Sequence, residues 1–148
     1  MKKTVILHVG APRTGSTALQ ALATKYNHEL RVNGLLYPVT HEEILKVSRL
    51  RDLDFISGSA GEFYTEIHRT AGDNKKAVEI LVQLCADRLQ RTADDKCSVV
   101  LFSSENLAHC SEDDLAVVKN VLMKLWSHDE VKVFPLLVVR DILDHAVS

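Results

Sequence analysis

Two glycines, one arginine and three hydroxyl side chains lie close together in the segment GAPRTGST, residues 10–17. This segment follows the apolar run TVILHV, residues 4–9, and precedes residues that favour a helix from Ser16 onward. A loop between a buried strand and a helix can hold a phosphate, because backbone N–H groups and the helix N-terminus point at the anion. Gly10 and Gly15 permit the positive-φ backbone that such a close approach needs. The segment therefore predicts a phosphate-binding loop.

The same segment fits the nucleoside-triphosphatase pattern GxxxxGK[ST] only in part. Gly10 and Gly15 have the right separation, but Ser16 occupies the lysine position and the cation of the loop is Arg13. Hydrolysis of a nucleoside triphosphate normally needs that lysine and a magnesium ion. The loop therefore predicts phosphate binding without ordinary triphosphate hydrolysis. The alternative at this point is a glycine-containing turn that binds no ligand.

A second candidate phosphate segment lies at the end of the sequence. Arg140 follows the apolar run VKVFPLLVV, residues 131–139, and Ser148 comes eight positions later. Ligands of open parallel sheets bind outside the carboxyl ends of the strands. Two turns of helix after Arg140 would bring Ser148 beside the same anion. We therefore expect Arg140 and Ser148 to bind one phosphate together.

With these two segments the sequence resembles the PAPS-dependent sulfotransferase family, whose co-substrate is 3′-phosphoadenosine 5′-phosphosulfate (PAPS). Residues 12–17, PRTGST, are similar to the 5′-phosphosulfate loop of that family, which is usually PKxGTT. Residues 139–148 are similar to its 3′-phosphate segment. The resemblance implies transfer of a sulfonate group from PAPS to an acceptor hydroxyl or amine, without a metal. It also implies a three-layer α/β/α fold with a parallel central sheet, like that of P-loop NTPases.

The resemblance also assigns roles to individual residues. Arg13 would take the place of the loop lysine, which stabilises the transferring sulfuryl group. The residues that would bind the 5′-phosphate are Thr14, Gly15, Ser16 and Thr17, and those that would bind the 3′-phosphate are Arg140 and Ser148. A guanidinium binds phosphate bidentately but is a poorer proton donor than an ammonium. Arg13 is therefore expected to act as an electrostatic clamp and not as a general acid.

Transfer to a hydroxyl also needs a base for the acceptor's proton, and two residues are candidates. Glu105 follows the apolar run SVVLFS, residues 98–103, and so lies after a strand end that faces the same crevice. In cytosolic sulfotransferases a histidine base has a similar location, and glutamate is the base in other branches of the family. His41, which precedes two glutamates, is the alternative base. His8 is expected to be a hydrogen-bonded core residue and not a catalyst.

Alternating strands and helices in a single domain, residues 1–148, must position these side chains. Apolar runs predict strands at 4–9, 98–103 and 131–139, with a short strand or extended segment at 35–38. Helical spacing predicts helices from Ser16, over 41–53, near 62–68, over 74–91, and after an N-cap at Ser111. The last of these should bury a stripe formed by Leu115, Val118, Leu122 and Leu125. Pro135 predicts an edge position or a bulge.

Composition bounds the function further. Hydrophobic residues make up 46% and charged residues 26%, as in globular domains, and the net charge of -2 argues against nucleic-acid binding. No apolar run reaches the ~18 residues of a membrane span. Three cysteines without a CxxC pair suit a reducing compartment and predict neither disulfides nor a zinc site. We expect a cytoplasmic enzyme that acts on a small-molecule or carbohydrate acceptor and binds neither nucleic acid nor membranes.

The end of the sequence carries one more expectation. Ser148 comes where a new helix should begin, so the chain is expected to be the N-terminal portion of the family fold, incomplete at its C-terminus. Two alternatives to an active sulfotransferase stay open on the sequence. One is a degenerate P-loop nucleotide-binding protein or kinase, and the other is a non-catalytic remnant that binds nucleotide.

Overall fold

The computed structural model of the chain describes residues 2–10, 15–40, 42–45, 59–92, 97–126 and 131–138. Its strands are β1 (Lys3–Gly10), β2 (Leu35–Leu36), β3 (Val99–Ser104) and β4 (Val131–Val138). Its helices are α1 (Ser16–Lys25), α2 (Asn27–Val32), α3 (Gly61–Arg69), α4 (Asn74–Thr92) and α5 (Glu112–Leu125), and a 3-10 helix spans Glu105–His109. The predicted alternation of strands and helices is confirmed. Of the helix expected over 41–53, residues 42–45 are helical and the other positions lie outside the described residues.

The four strands form one parallel sheet in the order β2-β3-β1-β4. In the pairing of β1 with β3, Val9 lies opposite Ser104, and in the pairing of β1 with β4, Gly10 lies opposite Val138. Because all the strands run in one direction, β1, β3 and β4 end at the same edge of the sheet. Within the described sheet β4 is an edge strand, so Pro135 occupies the edge position that its missing N–H predicts.

Helices cover both faces of this sheet. Alternate residues of a strand point to opposite faces, and Val5, Leu7 and Phe102 pack with buried residues of α3, α4 and α5. Leu101, which points the other way, packs with Ala23 of α1. The described residues therefore form an α/β fold whose layers are helix, parallel sheet and helix. This part of the predicted fold is confirmed.

The stripe that α5 buries differs from the predicted one. Its fully buried residues are Val117, Val118, Val121 and Leu122. The side chain of Leu115, expected inside, is 40% exposed, and Leu125 is only half-buried. Since α5 packs mainly along α4, its buried face is turned toward that neighbouring helix as well as toward the sheet. The expectation for Leu115 was therefore wrong, while Val118 and Leu122 were predicted correctly.

A cluster of charged residues, which we call the Arg88 ion-pair cluster, ties α4 to the chain that follows β2. Arg88 Nη1 donates to both carboxylate oxygens of Glu43 at 3.1 and 3.2 Å and to the carbonyl of Pro38 at 3.1 Å. Arg88 Nη2 donates to Glu62 Oε1 at 2.5 Å. Burial alone would lower the pKa of Arg88, but Glu62 and Glu43 raise it above its ordinary value. The cluster therefore holds a permanently charged guanidinium against two carboxylates.

Candidate active site

The strand order places the topological switch point of the described sheet between the carboxyl ends of β1 and β3. After β1 the chain enters α1 on one face of the sheet, and after β3 it enters α5 on the other face. Two adjacent parallel strands whose connections leave to opposite faces open a crevice at their carboxyl ends, and open α/β sheets bind ligands there. The residues that line this position are therefore the first candidates for a functional site.

The first turn of α1 presents backbone donors to this crevice. Gly15 is the N-cap residue, with φ of 85° in the left-handed region, and no side chain in the described part of the chain caps the helix. By contrast, Ser111 and Asp114 form a reciprocal capping box at the start of α5, in which each side chain accepts from the backbone N–H of the other residue. The backbone N–H groups of the first turn and the positive end of the helix dipole at α1 suit an anion such as a phosphate.

A carboxylate from β3 reaches the same turn of α1. Glu105 is the first residue after β3, in a short helix that Ser104 caps by accepting a hydrogen bond from the Asn106 amide. Thr17 Oγ1 donates to Glu105 Oε1 at 3.4 Å, a long contact between two half-buried side chains. Such a long contact leaves the carboxylate with hydrogen-bonding capacity for another group. The predicted base candidate and a predicted phosphate ligand therefore lie side by side.

Beneath these residues, three buried side chains form what we call the His8 network. Gln20 Nε2 donates to Ser103 Oγ at 3.0 Å, and Ser103 Oγ lies 2.7 Å from His8 Nδ1. Among the described residues, His8 Nε2 is buried and has no hydrogen-bond partner. Burial lowers the pKa of His8, and the nearby carboxylate of Glu105 opposes that shift. His8 is thus a neutral core histidine that is satisfied at one ring nitrogen only.

Sequence reasoning found Glu105 and Thr17 but missed two members of the His8 network. The sequence indicates only that Gln20 follows the predicted helix start at Ser16 and that Ser103 ends the apolar run 98–103. A signal was present, since the run VVLF gives way to two serines, Ser103 and Ser104, at the strand's carboxyl end. Both serines are fully buried, which requires hydrogen-bond partners for their hydroxyl groups.

The remaining predicted site residues divide into two groups. Gly15 and Thr17 lie at the start of α1, and Ser16 is its first helical residue. Outside the described residues lie Arg13, Thr14, His41, Arg140 and Ser148. The described residues place Gly10 and Val138 directly opposite each other on adjacent strands, a separation of about 4.8 Å. The two predicted phosphate segments therefore begin from neighbouring points at one edge of the sheet.

The described residues offer donors for an anion and a carboxylate that can accept a proton. Among them, no group of three or more histidine, cysteine, aspartate or glutamate side chains is placed to hold a metal ion. In the same parts of the chain, no helix combines the length and apolar character that crossing a membrane requires. Comparison with known proteins found no matching family model, no matching curated protein and no matching solved structure.

Proposed function

We propose that this protein is a sulfotransferase, which binds PAPS at the carboxyl edge of its sheet and transfers the sulfonate group to an acceptor hydroxyl or amine. The acceptor is a small molecule or a carbohydrate, and no metal takes part. The observation that carries the proposal is the β1–β4 register, in which Gly10 lies opposite Val138. In that register the two strands that precede the PRTGST loop and the Arg140–Ser148 segment end side by side, which supports a ligand with phosphates at both its 5′ and 3′ positions.

The proposed roles follow the chemistry of each position. The backbone N–H groups at the start of α1, with Thr14, Gly15, Ser16 and Thr17, bind the 5′-phosphate, because helix N-termini stabilise anions. Arg13 neutralises charge on the sulfuryl group and on the oxygen that links it to the 5′-phosphate. Arg140 and Ser148 bind the 3′-phosphate. The three cysteines without a CxxC pair support a reducing, cytoplasmic setting for this chemistry.

Glu105 is the proposed base. Its carboxylate accepts the proton of the acceptor hydroxyl while the acceptor oxygen forms a bond to sulfur. The bond between sulfur and the bridging oxygen breaks, and adenosine 3′,5′-bisphosphate leaves with the bridging electrons. The contact of Glu105 with Thr17 supports this role, since it places the carboxylate beside the turn that holds the 5′-phosphate. His41 is the alternative base and lies outside the described residues.

Equilibrium binding separates this proposal from a degenerate kinase. We expect adenosine 3′,5′-bisphosphate to bind more tightly than ATP with Mg²⁺ by about tenfold or more. The reason is that charge-assisted hydrogen bonds to the 3′-phosphate, which ATP lacks, add to affinity. Isothermal titration calorimetry measures both affinities. A preference for ATP with Mg²⁺ would contradict the proposal.

Arg140→Ala tests the second phosphate site. We expect this change to weaken binding of adenosine 3′,5′-bisphosphate by about tenfold or more while leaving the affinity for adenosine 5′-phosphate unchanged. Arg69→Ala is the matched control, since Arg69 is an exposed arginine that pairs with Glu66 on α3. Equal losses for both nucleotides, or for both variants, would remove the 3′-phosphate role of Arg140.

A further inference from the structure

Two contacts, one helical turn apart, fix α1 to the end of β3. Thr17 Oγ1 donates to Glu105 Oε1, and Gln20 Nε2 donates to Ser103 Oγ. Residues three apart share one face of a helix, so both contacts lie along the same side of α1. The first contact is long, at 3.4 Å, and half-buried, whereas the second is 3.0 Å and fully buried. The deeper contact is therefore the stronger constraint on how the start of α1 meets β3.

We assign His8 as the terminal acceptor of this constraint. The amide nitrogen of Gln20 can only donate, so Ser103 Oγ accepts from it. Ser103 Oγ lies 2.7 Å from His8 Nδ1, and the direction of this second hydrogen bond depends on the histidine tautomer. We assign the tautomer in which the Ser103 hydroxyl donates to Nδ1. The imidazole must be neutral to accept this proton, with its own hydrogen on Nε2. The chain of donors runs from Gln20 through Ser103 to His8, and all three side chains are buried.

We propose that His8 is a positioning residue, which holds Ser103 and Gln20 in the orientation that keeps Thr17 beside Glu105. This inference rests on the proposed function, because the positioned groups are the proposed 5′-phosphate site and base. Without the acceptor at His8, the buried proton of Ser103 would lack a partner. The Ser103 side chain would then rotate about its Cα–Cβ bond to bring the hydroxyl to another acceptor, which moves Oγ. Gln20 would then lose its own acceptor, and the start of α1 would no longer be fixed against β3.

Loss of this constraint affects ligand binding in a way that loss of ordinary packing does not. A hydrogen bond present equally in the free and bound protein cancels from the affinity. A loosened α1, however, spends only part of its time in the binding-competent arrangement, and the apparent dissociation constant rises as that fraction falls. A positioning role therefore predicts weaker binding by protein that is still fully folded.

Four variants of the whole chain test this inference, with adenosine 3′,5′-bisphosphate as the probe. His8→Leu removes the acceptor, and Gln20→Met removes the donor at the other end of the network. Each should raise the dissociation constant by roughly tenfold, measured well below the melting temperature. His8→Asn places an amide oxygen close to the position of Nδ1 and should return affinity to within about twofold of the wild type. Thr24→Val, the matched control, removes a buried hydrogen bond to the Gln20 carbonyl on the same helix.

The outcomes separate the inference from the proposed function. If the wild-type chain does not bind the bisphosphate, the proposed function fails and the inference fails with it. If the wild type binds and Gln20→Met binds as tightly as the wild type, or His8→Asn binds as weakly as Gln20→Met, the inference alone is overturned. A purely structural role would lower the melting temperature of His8→Leu, Gln20→Met and Thr24→Val alike, with no change in affinity. If His8→Leu does not fold, Gln20→Met and His8→Asn still decide the question.

Discussion

Among the described residues, the half-buried Arg88 ion-pair cluster and the more deeply buried polar groups at the carboxyl ends of β1 and β3 differ in how much hydrogen-bonding capacity they leave unused. In the Arg88 ion-pair cluster, the guanidinium donates to Glu43, Glu62 and the Pro38 carbonyl, so its donors are heavily engaged within the protein. At the carboxyl ends of β1 and β3, the groups are neutral or sparsely paired, and α1 begins without a side-chain cap. Burial and charge alone therefore do not mark a site. We base the proposed site on the cluster that keeps unused hydrogen-bonding capacity at the carboxyl ends of strands.

Exchanging a carboxylate for an amide should separate the two clusters most strongly. Glu105→Gln keeps the size and the acceptor for Thr17 but removes the base. We expect the rate of sulfonate transfer from PAPS to fall by about 100-fold or more, since general-base catalysis contributes on the order of 10² to 10⁴. Bisphosphate affinity should stay close to that of the wild type. The measurement is the release of adenosine 3′,5′-bisphosphate from PAPS in the presence of a panel of phenols, amines and sugars.

Glu43→Gln is the matched control for that experiment, because it makes the same chemical change in the Arg88 ion-pair cluster. We expect it to lower the free energy of unfolding and to leave the transfer rate of the folded protein unchanged. If Glu43→Gln abolished transfer and Glu105→Gln did not, the functional assignment of the two clusters would be reversed.

Arg88→Leu should be the most destabilising change in the ion-pair cluster. It leaves the carboxylates of Glu43 and Glu62 beside apolar surface without their cation. Breaking a fully buried pair costs about 3–5 kcal/mol, and partial exposure of both glutamates reduces the expected loss here to about 2 kcal/mol. Urea unfolding measures this loss. Bisphosphate affinity below the unfolding transition should not change, and a large loss of affinity would show that the cluster belongs to the site.

Two glycines offer a smaller but closely matched comparison. Gly15 and Gly34 have φ angles of 85° and 83°, and a Cβ at either position would meet no atom within 4 Å. Replacing either by alanine should therefore cost about 1 kcal/mol of unfolding free energy through backbone strain alone. Only Gly15→Ala should also weaken bisphosphate binding, because Gly15 shapes the start of α1 and Gly34 precedes β2. Equal effects on affinity would argue against a phosphate site at α1.

The smallest expected effect is a dependence of stability on pH. Burial lowers the pKa of His8 below its ordinary value of 6.5. The unfolded chain then binds the proton more readily than the folded one, so the stabilisation is complete above pH 6.5 and is lost as the pH falls through the folded pKa. The melting temperature of the wild type should therefore fall below pH 6.5 more than that of His8→Asn. Identical pH profiles would show that His8 does not titrate differently in the fold.

The strands and helices could be predicted from the sequence, because each depends on the spacing of apolar and polar residues within one short segment. The strands at residues 3–10 and 99–104 and the capped start of α5 follow from their own sequences. Tertiary contacts decided the rest. The strand β2 has only two residues, and beyond it Ser59 and Ala60 hydrogen-bond to β3 along the same edge. No local pattern near residue 59 predicts that pairing.

The candidate site divides in the same way. Glu105 and Thr17 could be predicted because strand carboxyl ends and helix starts are recognisable in sequence. The His8 network could not, since His8, Gln20 and Ser103 come from three elements and only the parallel register of β1 with β3 brings His8 opposite Ser103. A buried histidine in a strand gives no local sign of which hydroxyl it accepts from. The pattern of each strand does not show which residues of two neighbouring strands lie opposite each other, and the His8 network depends on that pairing.

Nuclear magnetic resonance titration tests most directly whether the carboxyl edge of β1 and β3 is the nucleotide site. The ¹⁵N-labelled chain would be titrated with adenosine 3′,5′-bisphosphate while the backbone amide shifts are followed. We predict that among the described residues the largest saturable shifts occur at Gly15, Ser16, Thr17 and Glu105, with little change at Glu43, Glu62 and Arg88. Absence of saturable shifts at the start of α1, or shifts centred on the Arg88 ion-pair cluster, would contradict the account.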